Sequence, residues 1–249
     1  MRQGSISYAR IADRYEYVRG GAERAGQLAD ALAPWLPDGR VGDVGAGTGI
    51  VTERLARPGV ELVACDLSVE MLIQATERLP GRVHVADAGA LPLRDTAMDA
   101  LTYVWVLHHV ADLRVCLEEA WRVLRPGGRV LSISGVSLPV GDDMAPIFDA
   151  LSDTLRPGRR EQATAVSSVG GDVGFGLVHE GFATTAGDVS PNALADKMEE
   201  RLFAHLWDLS DERWGTHVEP AIAELRALPD PDHPRRRVFH HPLVVFEKR

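Results

Sequence analysis

Val41-Gly42-Asp43-Val44-Gly45-Ala46-Gly47-Thr48-Gly49 is the stretch on which the fold turns. Apolar residues run into three glycines at alternate positions, and a helical pattern follows over about 49–57. Glycine is needed where a backbone must turn tightly and lie close against a ligand. The helix that follows aims its unpaired N–H groups back at whatever the loop holds. The spacing differs from the dinucleotide fingerprint: the third glycine comes one residue early, and Ile50 stands in its place.

Outward from this loop, short apolar runs alternate with helical patterns. Strands are expected near 41–45, 60–65, 82–86, 98–104 and 128–134, with helices near 49–57, 68–79 and 111–124. Pro126-Gly127-Gly128 breaks the chain before the fifth strand. Two amphipathic stretches, 5–17 and 20–33, precede the loop. Beyond 134 the rhythm loosens. One helix is expected near 142–155, a strand near 182–189, helices near 191–207 and 211–226, and a closing strand over 241–246. The fold class is α/β: a doubly wound, mostly parallel seven-stranded sheet with N-terminal helices and an inserted helical lid. The 249 residues suit one domain, with 38–134 as its ligand-binding core and with 135–180 and 190–237 as lid or substrate-side elements. Gly170-Gly171 and the Gly174/Gly176 pair read as hinge positions for such a lid.

Two acids give the loop its ligand. Asp66 ends the second strand about 20 residues beyond the glycines, where a carboxylate accepts from both hydroxyls of a ribose. Asp87 ends the third strand and is placed to accept from an exocyclic adenine amine, with the Ala88 N–H donating to the ring. Leu67 and Met71 would wall the adenine. Plainer roles compete: Asp66 or Ser68 as a helix cap, Asp87 as a loop cap, Met71 as core.

Composition narrows the partners. The net charge of −9, with no basic block, disfavours a phosphate-tracking nucleic-acid surface. No run is long enough to span a membrane, and no signal core opens the chain, so the cytoplasm is the expected location. Cys65 and Cys116 make neither a disulfide framework nor a zinc site. His240 and His241 are adjacent in a strand and point to opposite faces, so no metal is assigned. Lysine occurs only at 197 and 248.

In register, VGDVGAGTGIVTERLA, CDLSVEML, ADAGALPLRDTAMDALTYVWVLHHV and LEEAWRVLRPGGRVLSIS resemble the successive motifs of class I S-adenosylmethionine (SAM)-dependent methyltransferases. The resemblance is to their UbiE-like, type 11 group, and it covers about 38–134. It implies SAM as cofactor and S-adenosylhomocysteine as product. It implies that Gly45, Ala46, Gly47 and Gly49 line the methionine part, that Asp43 orients the ammonium through water, and that the backbone near Tyr103 meets it too. Tyr103 stands where relatives carry a small or polar residue, which points to a more aromatic pocket floor. The N-terminal element Tyr8, Ile11, Ala12 and Tyr15 is implied to touch the cofactor.

Methyl transfer needs a nucleophile held in line with the methyl in a water-poor pocket. His108 and His109 follow the fourth strand and could take a proton from an acceptor, as could the hydroxyls of Tyr8 and Tyr15, although each also has an ordinary packing role. The acceptor is expected to be a small molecule methylated on O, N or C, with a homodimer compatible. Two alternatives remain from the residues alone: a SAM-binding enzyme that cyclises SAM or serves as a cyclase, and a non-catalytic SAM-binding protein.

Overall fold

The computed structural model describes residues 14–18, 20–157 and 159–249. Tyr8, Ile11 and Ala12 therefore lie outside the described residues.

Eight strands form one sheet: β1 (Gly39–Val44), β2 (Val60–Asp66), β3 (Val83–Val85), β4 (Met98–Val104), β5 (Leu124–Ile133), β6 (Leu138–Val140), β7 (Gly176–Val189) and β8 (Arg235–Glu247). Their order is β3-β2-β1-β4-β5-β8, with β7 on the far side of β8 and the short β6 pairing the same β8 beyond the end of β5. Pairings within β3-β2-β1-β4-β5 are parallel, and only β8 runs against its neighbours. The seven expected strands are all present. The eighth, β6, is a three-residue addition that the Gly- and Pro-rich sequence did not signal.

Helices cover both faces. On one side α2 (Gly21–Leu32) buries Leu28, Ala29 and Leu32 against Val41, Leu62, Leu131 and Val245. On the other, α5 (Leu113–Val123) buries Cys116, Leu117 and Ala120 against Leu101, Tyr103 and Phe246. Asp112 caps α5 by accepting from the Arg114 and Val115 N–H groups. Lys248 Nζ closes its other end, donating to the Trp121 and Leu124 carbonyls at 2.6 and 2.8 Å. The expected break at Pro126-Gly127-Gly128 lies inside β5 as a register shift against β4.

Two readings of the second half need correction. First, α7 (Arg159–Val173) is a helix within the 135–180 stretch expected to form lid or substrate-side structure. It packs on α5, β7 and β8 and sends Val166 into the main core, so it is the crossover helix that returns the chain from β5 to β7. Gly170 is a close-packing position in that helix and not a hinge. A β-carbon there would lie 2.4 Å from the Phe246 ring. Second, the expected 191–207 helix ends early: α8 is Pro191–Glu199, and Arg201 turns with a positive φ.

Between them, α6 (Ala145–Leu155), α8 and α10 (Glu219–Arg226) build a separate apolar cluster around Met144, Leu151, Met198 and Leu225. The expected 211–226 helix is one helical run, α9 (Asp211–Arg213) continuing into α10 through a π-helical segment over Trp214–Val218. This cluster caps the sheet on the side where β7 ends and β8 begins. Among the described residues no helix is long and apolar enough to cross a membrane.

Candidate active site at the strand tips

The glycine loop joins β1 to α3 (Ile50–Arg54), which is shorter than expected because Pro58-Gly59 follows. Gly45, Gly47 and Gly49 have φ of 74°, 57° and 75°, a region costly for residues with a β-carbon. Gly45 and Ala46 both donate to the Cys65 carbonyl, at 2.7 and 3.0 Å, which folds the loop over the end of β2. A β-carbon on Gly45 would meet Val106 Cγ2 at 2.3 Å, so the chain after β4 presses directly on the loop. A β-carbon on Gly47 would meet nothing within 4 Å, so that face of the loop is open. Gly49 packs instead on Ala75 of α4 (Val69–Arg78). Arg78 fastens the loop from below, donating to the Thr48 carbonyl at 2.9 Å and pairing with Glu16 and Glu53.

Asp66 stands at the edge of this opening. One of its oxygens accepts from Gly47 N–H and the other from Ser68 N–H, both at 2.8 Å. Each oxygen keeps a lone pair for a further donor. Ser68, not Asp66, caps α4 by accepting from Met71 N–H. Asp87 is exposed, and its carboxylate accepts from Gly89 N–H, so the loop-capping role is realised without occupying the group fully. Ala88 follows it, half-buried, and Leu67 is exposed beside Asp66.

Other expected site residues point elsewhere. Asp43 is only 2 % exposed and is held by Thr52 and Thr102 hydroxyls at 2.5 and 2.7 Å. Burial pushes its carboxyl up to about 6 despite those two donors. It ties β1 to α3 and β4 at the base of the glycine loop. Met71 is buried, which favours packing over an open adenine wall. Tyr103 is fully buried among Cys65, Cys116 and Leu117, and its hydroxyl has no partner among the described residues. It therefore does not floor an aromatic pocket. Trp105, turned off the end of β4 by a φ of 60°, lines a cavity instead.

Trp105 opens onto a cavity of about 390 Å³ between the strand tips and the helical cap. His108 and His109 both line it, with ring centroids 3.8 Å apart. The His108 ring lies flush on the Gly135 backbone, where a β-carbon would come within 2.2 Å of it. Tyr15 does not line this cavity. Tyr17, two residues on in α1 (Tyr15–Val18), does. Sequence reasoning also missed Arg24, Lys197, Arg237, Phe239 and His241, which come to the same space from α2, α8 and β8. His241 accepts or donates at Thr185, 3.0 Å away, while His240 meets Thr184 across β7, so the adjacent pair does point to opposite faces. Among the described residues no group of three His, Cys, Asp or Glu side chains converges as a metal site.

The residues present fit a nucleoside with a small charged tail. Bare backbone faces open space at Gly47, a carboxylate with spare lone pairs stands beside it, and Thr48 Oγ1 is buried in the loop with no partner among the described residues. A glycine loop followed by an acid at the end of the second strand, on a sheet with one reversed strand, defines a nucleoside-binding enzyme of the class I methyltransferase type.

A family model described as a methyltransferase domain matches residues 42–132. A demethylmenaquinone methyltransferase from Parafrankia sp. (strain EAN1pec) is 35% identical over 192 residues, which are 67% of this chain and 74% of that one. The chain belongs to the SAM-dependent methyltransferase family, in its UbiE-like group, and SAM is its cofactor. It spans about half the length of other curated relatives it matches, from 58% of a UbiE C-methyltransferase of ubiquinone and menaquinone biosynthesis down to 40% of a demethylmenaquinone methyltransferase from Paenarthrobacter aurescens. Solved structures share the fold. A Haemonchus contortus phosphoethanolamine N-methyltransferase 2 with S-adenosylhomocysteine bound has a TM-score of 0.53 at 19% identity, over 94% of this chain and 57% of that one. The cyclase SpnF has a TM-score of 0.57 at 22% identity, over 97% and 93%. At such identities the likeness is one of fold, and the relatives at 35% and 32% identity named above are methyltransferases, which disfavours the cyclase alternative.

Proposed function

We propose that the chain moves the SAM methyl group to carbon or oxygen of a small aromatic acceptor held in the Trp105 cavity. The observation that carries this is the shared wall. Val106 presses on Gly45 of the cofactor loop, and its neighbour Trp105 lines the cavity, so donor and acceptor would meet across two consecutive residues. In this reading Asp66 holds the ribose, Asp87 and Ala88 the adenine with Leu67 beside it, and Gly45, Ala46, Gly47 and Gly49 the methionine part.

The bound cofactor supplies a sulfonium-activated methyl, so the protein has to orient the acceptor, exclude water and accept a proton. Trp105, Phe148, Phe203 and Phe239 give the cavity aromatic surfaces for a flat ring. His108 and His109, which line the cavity, are the proton acceptors in this reading, with His108 held by its contact on Gly135. The curated relatives named as quinone C-methyltransferases support a ring acceptor. The same reading takes the chain as one domain with the cap as its substrate-side element, places it in the cytoplasm and leaves a homodimer compatible with the fold.

The test is incubation with methyl-labelled SAM and a panel of phenols and hydroquinones, following S-adenosylhomocysteine release. Label should appear in the ring product, and His108→Gln should lower turnover by about 10²–10⁴-fold with little change in cofactor affinity. Release of methylthioadenosine, or no label in any acceptor, would overturn the proposal.

A further inference from the structure

The cavity is charged in a way the chain as a whole is not. The net charge is −9, yet among its described lining residues four cations, Arg24, Arg156, Lys197 and Arg237, face two acids, Glu23 and Asp188. Asp188 is already paired with Arg236 outside the cavity. Arg237 is almost fully buried and neutralised by Asp142 at 2.8 Å, which makes it a fixed wall.

Lys197 is different. It is half-buried, no carboxylate among the described residues pairs with it, and its ammonium lies 4.8 Å from the Tyr17 ring centroid. Burial and the Arg24 guanidinium both push its pKa down. An ammonium held in a partly dry pocket beside a second cation carries a desolvation cost, and a bound anion offsets it. The Arg24 guanidinium also sits 5.8 Å from the Trp105 ring and 5.2 Å from the Phe239 ring. Cationic charge therefore borders the aromatic surfaces on which an acceptor ring would lie.

We propose that the acceptor is an aromatic acid, its ring against Trp105 and Phe239 and its anionic substituent received by Lys197 and Arg24. This rests on the cavity being the acceptor site. It narrows the acceptor from any ring to one carrying a carboxylate or comparable anion.

The test titrates the S-adenosylhomocysteine-loaded protein with matched pairs, hydroxynaphthoate against naphthol and salicylate against phenol. The carboxylate member of at least one pair should bind about tenfold or more tightly than its neutral partner. Lys197→Gln should remove most of that preference, and Lys197→Arg should keep it. Equal binding within both pairs, no binding by either carboxylate, or a preference unchanged in Lys197→Gln would overturn the proposal. Methylation of the neutral phenols without that preference would sink the aromatic acid and leave the methyl transfer standing. A Lys197-dependent preference with no label transferred to any acceptor would do the reverse.

Discussion

At Gly45 two constraints coincide. The backbone is in the left-handed region, which costs a residue with a β-carbon about 1–2 kcal/mol, and the space where that carbon would go is filled by Val106. Gly45→Ala should weaken S-adenosylhomocysteine binding by about tenfold or more, read by calorimetry. Adding Val106→Ala should restore only part of the loss, because the contact is relieved and the backbone cost is not. Trp105 shows the converse case. A bulky residue adopts φ 60° at the end of β4, a conformation costing about 1–3 kcal/mol and commonest at functional sites. Strict alternation would send Trp105 to the same face as Tyr103; the turn frees the indole for the cavity while Tyr103 stays in the core.

Among the elements, α7 shows how packing decides what local pattern does not. Its sequence, Arg159 to Val173, is polar at both ends and carries Gly170-Gly171, so its periodicity is weak. It is a helix because it lies on α5 and β8, and Gly170 lets it come that close. Gly170→Ala would improve helix propensity by about 1 kcal/mol. The clash with the Phe246 ring should outweigh this, giving a net loss of about 1–3 kcal/mol in urea unfolding. A shift toward greater stability would show that the ring moves aside freely. The shortness of α3 and α8 has the opposite cause: Pro58-Gly59 was visible in the sequence, whereas the turn at Arg201 was not.

For the whole molecule, the buried charge of Asp43 sets a pH dependence. Its carboxyl is raised from 3.8 to about 6, so the folded state binds a proton more readily than the unfolded chain across that window. A raised acid pKa means that ionisation opposes folding. Its penalty is small below about pH 4, grows between about pH 4 and pH 6, and levels off at about 3 kcal/mol at neutral pH. The stability difference between the protein and Asp43→Asn should therefore move in favour of Asn between about pH 4 and pH 7 in urea unfolding, and stay level above that. A difference independent of pH would mean that the Thr52 and Thr102 hydroxyls hold the carboxylate in its charged form at ordinary strength. The same burial raises the Cys65 thiol to about 11, which leaves it unreactive near neutral pH.

What was legible along the chain was the part encoded locally. Strand period, glycine placement and an acid at the end of a strand are set by residues within a few positions of one another. From these come the sheet, the cofactor loop and the roles proposed for Asp66 and Asp87. The acceptor cavity is assembled differently. Arg24, Trp105, Lys197 and Phe239 are brought together from α2, the β4 tip, α8 and β8, elements distant in the sequence, and no pattern marks them as partners. Which lysine caps a helix and which faces a ligand, or whether Met71 and Tyr103 face a site or the core, depends on how helices dock on a twisted sheet. That docking is fixed by the summed burial of many apolar side chains and by no single residue.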